Sequence, residues 1–217
     1  HAGGAVRGFE VIGVERGCTE LSSEFGQFVR RMFHDDYSTP LVAISREIQE
    51  AVERKNYYVA LIAGLSLIDM CAALESEDGE ANKDKFAQWF DTNMIDYVPK
   101  DGTERAKKLS LSGKECYTFR NKLLHQGRAA LLDDKAPRSH KTGVIAFSIG
   151  SASFHRSNLE GNYYVDIPNF LGDICRAVSN WRVRMTGNSS FERNHARMLQ
   201  YGTEVPGGAN RPGHYLF

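Results

Sequence analysis

Between Asn56 and Glu77 the chain reads NYYVALIAGLSLIDMCAALESE, with few positions suited to solvent on any side of a helix. A helix that is apolar all round has to be surrounded. This stretch therefore constrains the fold more than any other, because the rest of the chain must supply the elements that cover it. Its longest apolar run, around Val59 to Ile68, reads as too short to span a membrane. Asp69 interrupts the pattern, and a buried carboxylate needs a cation or several donors around it.

The covering elements are legible as amphipathic segments. STPLVAISREIQEAVERK predicts a helix with Ser38 or Thr39 as cap, Pro40 in the first turn, and an inward stripe of Leu41, Ile44, Ile48 and Val52. ANKDKFAQWFDTNMIDYV predicts another, with Phe86, Trp89, Phe90 and Ile95 inward. IPNFLGDICRAVSNWRVRM predicts a third, with Phe170, Leu171, Ile174, Val178 and Trp181 inward. TELSSEFGQFVRRMF, capped by Thr19, also has near-helical spacing, and TERAKKLSL reads as a short helical piece. Tyr57 and Tyr58 are expected to anchor the core. FEVIGVE, Phe9 to Glu15, is a short strand or an extended arm. KTGVIAFSIGSASF has β-type composition and is expected to form a hairpin with NYYVDI. The expected fold is mainly α, a helical bundle with a small β hairpin insertion before the last core helix. Its organisation is an N-terminal arm over 1–18, a bundle over 19–186 with the insertion at about 141–166, and a basic C-terminal extension and flexible tail over 187–217.

Composition excludes the fibrous and disordered classes: of 217 residues, 41% are hydrophobic and 25% charged. Lys+Arg and Asp+Glu both number 27, so whole-chain charge selects no partner. Local charge is less even. Lys114, Arg120, Lys122, Arg128, Lys135, Arg138 and Lys141 face only Glu115, Asp133 and Asp134, and from Arg182 onward Arg184, Arg193, Arg197 and Arg211 face only Glu192 and Glu204. Such segments can bind a polyanion or simply form a solvated basic face. Cys18, Cys71, Cys116 and Cys175 show no paired or zinc-finger spacing. No signal-peptide pattern is visible. The expectation is a reduced, cytoplasmic protein without structural metal, cofactor or membrane association.

ECYTFRNKLLHQGRAA, Glu115 to Ala130, carries the chemistry. It predicts a helix from about Ser112 to Gln126 that stops on Gly127, which suits a left-handed terminator. Asn121 and His125 are four apart and share a face. Arg120 and His125 lie about 140° apart around the axis, so they can meet only at a groove that both line. Guanidinium binds phosphate oxygens bidentately without losing its charge, and imidazole takes or gives a proton near neutrality. Asn121 can hold the histidine tautomer or donate to a phosphate oxygen. Attack by a ribose 2′-OH needs a base and an acid, and a single histidine serves as one of these at a time. A two-fold dimer that juxtaposes two copies would provide both.

RNKLLH, Arg120 to His125, resembles the Arg-polar-x-x-x-His motif of the HEPN superfamily, helical-bundle proteins that include RNase toxins and antiviral effectors. The resemblance extends over roughly Pro40 to Met185, with a helix pair before the motif helix and a core helix after it. It implies a metal-independent endoribonuclease, acting as a homodimer on RNA, with an antitoxin or effector-complex partner among its possible associates. In this reading His125 is the acid/base, Arg120 binds the phosphate, Asn121 supports the site, Asp69 orients Arg120, and Lys122 and Arg128 steer the substrate. Some members carry a modifiable tyrosine two residues after the histidine; here that position is Gly127. The competing reading makes Arg120, Asn121 and His125 a polar cluster tying core helices together in a non-catalytic dimerisation or nucleotide- or protein-binding module.

No other residues compete as a site. His34 with Asp35 and Asp36 reads as a solvated helix end, and His140, His155 and His195 lack partners at any recognised spacing. No nucleophile elbow or Gly-rich phosphate loop is present in the sequence.

Overall fold

The computed structural model describes residues 40–98, 103, 110–127, 145–150, 152–159 and 162–198, with the backbone of 201–202 and 215–216. The N-terminal arm, the expected helix at 19–33, His34 to Asp36, most of TERAKKLSL and the 128–144 segment with Arg128 and His140 lie outside these residues.

The described chain is mainly α, with a small sheet before the last long helix. The central element is α2 (Tyr57–Glu75), and α1 (Pro40–Glu53), α3 (Lys83–Asn93), α4 (Gly113–Gln126), α5 (Ile167–Arg184) and α6 (Ser189–His195) all pack against it. Its buried residues include Ala60, Leu61, Leu65, Leu67, Ile68, Cys71 and Leu74, a spread around the axis that matches its all-round apolar sequence. The helix continues through Asp69 to a length of 19 residues, so by length and composition alone it could cross a membrane. That corrects the length argument made from Val59 to Ile68. Half of its apolar window is covered by the bundle.

The inward stripes of α1 and α5 are as expected: Leu41, Ile48 and Val52 are buried with Ile44 packed beside them, as are Phe170, Leu171, Ile174, Val178 and Trp181. Two expectations fail for local reasons. Ile95 is 64% exposed, because α3 ends at Asn93 and the chain turns, giving the inward positions to Met94 and Tyr97. Tyr58 is 55% exposed on the first turn of α2, and Tyr57 alone of the pair packs on the core. Cys71, Cys116 and Cys175 are free and buried, small apolar fillers.

The sheet departs from a simple hairpin. β1 (Ile145–Ser148) runs parallel to β3 (Asn162–Asp166), pairing Ile145 with Tyr163 and Ser148 with Asp166. The hairpin partner of β3 is instead β2 (Ser157–Leu159), antiparallel from Ser157–Tyr164 to Leu159–Asn162. Between β1 and β2 the chain makes a 3₁₀ turn at Ala152–Phe154 and a left-handed step at Arg156 (φ 59°), which carry it across β3 to the far edge. Tyr163 and Val165 face the core, and Phe147 meets Phe119 of α4 at 5.0 Å. After the insertion Asp166 caps α5, its carboxylate accepting from Asn169 N at 3.3 Å.

The packed body runs past residue 186. Phe191 of α6 lies edge-on to Trp181 at 5.5 Å, and Trp181 meets Trp89 at 5.9 Å. Asn194 donates to the carbonyls of Leu74 and Ser76, satisfying the C-terminal end of α2. Tyr201–Gly202 and Tyr215–Leu216 form a two-residue antiparallel pair.

Gly113 sets how closely the motif helix approaches α3. A Cβ there would stand 2.6 Å from Ala87 Cα and closer still to the Ala87 carbonyl oxygen, both of them backbone atoms. Gly113→Ala is therefore expected to destabilise the protein by about 1–3 kcal/mol, read as a lower midpoint in urea unfolding.

Candidate active site

The motif helix α4 is bounded by its own sequence. Ser112 and Glu115 form a capping box: Ser112 Oγ accepts from Glu115 N, and Glu115 Oε2 accepts from Ser112 N at 2.9 Å. At the other end Gly127 adopts φ 64°, ψ 23°, and its N–H closes the last turn on Leu123 O. Cys116, Phe119 and Leu123 bury one face, which fixes how the polar positions project.

Arg120 is the best-anchored of these. Its Nη2 lies 2.5 Å from Asp69 Oδ2 of α2, its Nη1 donates to Asn121 Oδ1 at 2.8 Å, and its Cζ stands 5.9 Å from the Tyr117 ring. The paired side chains of Arg120 and Asp69 are 22% and 18% exposed, so the ion pair is shielded but reachable. Burial pushes the Asp69 carboxyl above the ordinary carboxylate range, and the charge and hydrogen bond of Arg120 offset this only in part. Of five guanidinium N–H groups one donates to Asn121, and the Nη2 end faces Asp69 as an ion pair. The Nε–H is buried without a partner among the described residues.

Asn121 has a single orientation consistent with this pair: its oxygen faces the guanidinium, which leaves its NH₂ for an acceptor. Of its two expected roles, holding the histidine tautomer is the one the geometry does not support. His125 lies in the last turn of α4, exposed, and makes no hydrogen bond to a described residue. Arg120 and His125 are separated by about 7.5 Å along the axis. Asp69, Arg120 and Asn121 are thus brought together, His125 stands apart toward solvent, and Lys122 is half-buried. Arg128 lies outside the described residues.

A second polar cluster was missed from the sequence. His155 Nε2 is 3.0 Å from Tyr97 Oη and 3.2 Å from Asp173 Oδ2, and Tyr97 Oη donates to the same oxygen at 2.8 Å. Asp166 N donates to His155 Nδ1 at 3.2 Å. A ring nitrogen that accepts carries no proton, so the imidazole proton sits on Nε2. Arg176 donates to Asp173 Oδ1 at 2.8 Å. His155 therefore has partners after all, reaching 58 residues back to Tyr97 and 18 forward to Asp173, separations that no local spacing reveals. His195 stacks on Phe191 at 5.3 Å.

No protein-family model, curated protein or solved structure matches this chain.

The contrast between the two clusters is therefore the guide to chemistry. In the Tyr97–His155–Asp173 cluster both ring nitrogens and both carboxylate oxygens are engaged, which describes a fastener holding the β insertion and the α3 exit onto α5. In the α4 cluster a charged guanidinium is held with donors to spare, and an imidazole faces solvent. Among the described residues no three His, Cys, Asp or Glu side chains are grouped to hold a metal ion.

The fastener has an acid signature. Burial alone would raise the Asp173 carboxyl, but the bonds from His155 and Tyr97 and the charge of Arg176 outweigh it and hold it below the usual range. A carboxyl lowered on folding contributes stability that is present above its unfolded value, about 3.9, and is lost as pH falls through the folded value. Asp173→Asn is expected to flatten the fall of stability below about pH 4, by at most one proton's slope of about 1.4 kcal/mol per pH unit. Urea midpoints at several acidic pH values check this.

Proposed function

We propose that the chain is a metal-independent endoribonuclease of HEPN type, working as a homodimer. The observation that carries the reading is an Arg120 anchored by Asp69 and Asn121 with N–H donors left over, on the same α4 that presents an exposed His125 without a hydrogen-bond partner among the described residues. Arg120 binds a non-bridging phosphate oxygen and stabilises the charge that develops there. His125 of one protomer takes the proton of the ribose 2′-OH as that oxygen attacks phosphorus. The P–O5′ bond breaks, and His125 of the other protomer protonates the departing 5′ oxygen. The products are a 2′,3′-cyclic phosphate and a 5′-OH. Single-stranded RNA is the favoured substrate, because in-line attack needs a backbone free to rotate. A toxin or antiviral effector acting in the cytoplasm fits this chemistry, with an antitoxin or effector-complex partner to restrain it.

One observation favours a second reading, a non-catalytic dimerisation or binding module. The Asp69–Arg120 pair joins α2 to α4, which is also what a structural strut would do. Incubation with a mixed RNA pool in EDTA, beside His125→Ala and Arg120→Ala, separates the two. Cyclic-phosphate ends that vanish in both folded variants support the ribonuclease. Intact RNA from a folded dimer leaves the module.

A further inference from the structure

The proposed site leaves the second basic stretch of the sequence, from Arg182 onward, without a role. Arg184 lies on the same face of α5 as Asn180 and Arg176, at steps of four residues, a row about 12 Å long. With Thr92, Asn93 and Tyr97 from the end of α3 and the turn after it, the row lines an open cleft of about 400 Å³, within the size range of small-ligand sites.

Two carboxylates also line this cleft, and both are already engaged. Asp173 is held by Tyr97, His155 and Arg176, and Asp96 pairs with Arg156 at 3.2 Å. Arg184 differs: no carboxylate among the described residues pairs with it, and its one side-chain bond goes from Nη2 to the neutral Asn93 Oδ1. Asn180 is exposed, and its amide has no hydrogen-bond partner among the described residues. The acids cancel against their own cations, leaving one positive charge and a row of N–H donors. That combination recognises an anion with several acceptor oxygens, and a guanidinium fork matches the spacing of phosphate oxygens.

We infer that the cleft between α5 and the α3 exit binds a phosphate group, with Arg184 and Asn180 contacting its oxygens and Arg176 flanking them. Taking the backbone of an RNA strand as the source rests on the ribonuclease reading; a free nucleotide is the other source of the same chemistry. A strand seated here would be gripped by its backbone without regard to base sequence.

The test measures binding of a fluorescently labelled single-stranded RNA to the full chain carrying His125→Ala, by anisotropy at several salt concentrations, and binding of AMP by calorimetry. Arg184→Gln removes the uncompensated charge. Asn180→Asp places a negative charge in the cleft while leaving the Arg184–Asn93 contact intact, so a folding defect in the first variant does not obscure the result. Loss of one phosphate contact predicts roughly fivefold weaker RNA binding at 0.1 M salt and a shallower salt dependence in both variants, whatever the RNA sequence. Weaker AMP binding in both variants, with RNA binding unchanged, keeps the phosphate site and makes the ligand a nucleotide. Unchanged binding of both ligands in both variants overturns it. RNA cleavage by the parent chain alongside that insensitivity removes this cleft and keeps the ribonuclease. RNA held through Arg184 by a chain that never cleaves does the reverse.

Discussion

His125→Ala is expected to abolish RNA cleavage, by about 10²–10⁴-fold, with stability within about 0.5 kcal/mol of the parent chain. Both halves of that expectation come from the same geometry. An acid/base group has to reach a substrate proton, and His125 is exposed with no described side chain or backbone group occupying it. The same lack of contacts means that truncation opens no cavity and strands no partner. Its α4 turn is closed by the Gly127 N–H on Leu123 O, which the substitution leaves in place. Cleavage rates and urea midpoints measured on the same preparations check it. Loss of activity together with a large loss of stability would point to the strut reading. Unchanged cleavage would remove His125 from the chemistry.

Arg120→Ala should behave in the opposite way toward stability. It removes the only cation paired with Asp69 among the described residues and leaves a shielded carboxylate on α2. A fully buried pair broken this way costs several kcal/mol and an exposed one under 1, so an intermediate cost of about 1–3 kcal/mol is expected here. The sign of its pH dependence follows from Asp69. Burial already raises that carboxyl, and Arg120 is what opposes the rise. Without Arg120 the folded value climbs further. A raised carboxyl favours folding below its unfolded value and loses that contribution as pH rises through the folded value. The penalty of Arg120→Ala is thus largest at neutral pH and shrinks on acidification toward pH 4. Asp69→Asn in the same background should restore part of the loss at pH 7. A penalty independent of pH would show that packing of the Arg120 stem, and not the ion pair, ties the two helices.

Some of this architecture was readable from local pattern. The central helix announced itself by being apolar all round, and α4 by a serine, a glutamate three residues on and a terminal glycine, because capping chemistry is contained within a few neighbouring residues. The need of Asp69 for a cation was also legible, and Arg120 was among the candidates for it. What escaped depended on distant partners. Ile95 fits the stripe of α3 but falls two residues beyond its end, where a turn and the buried Tyr97 decide orientation. The parallel pairing of β1 with β3 follows from a crossover whose 3₁₀ turn carries no strong composition signal. Among the described residues the hydrogen-bond partners of His155 lie 11, 18 and 58 residues away, and its cluster exists only once the insertion, the α3 exit and α5 have been assembled.

The chain has two tryptophans, and edge-to-face contacts join both of them and Phe191 of α6 in one aromatic cluster. Intrinsic emission from this protein is consequently a local signal. Its intensity and wavelength follow whether α6 is seated against Trp181, whose indole N–H is bonded to Glu75, and they say little about the far end of α4. A fluorescence melt will register release of the C-terminal helix, and a second probe placed near Gly127 is needed to show whether the motif helix lets go in the same step.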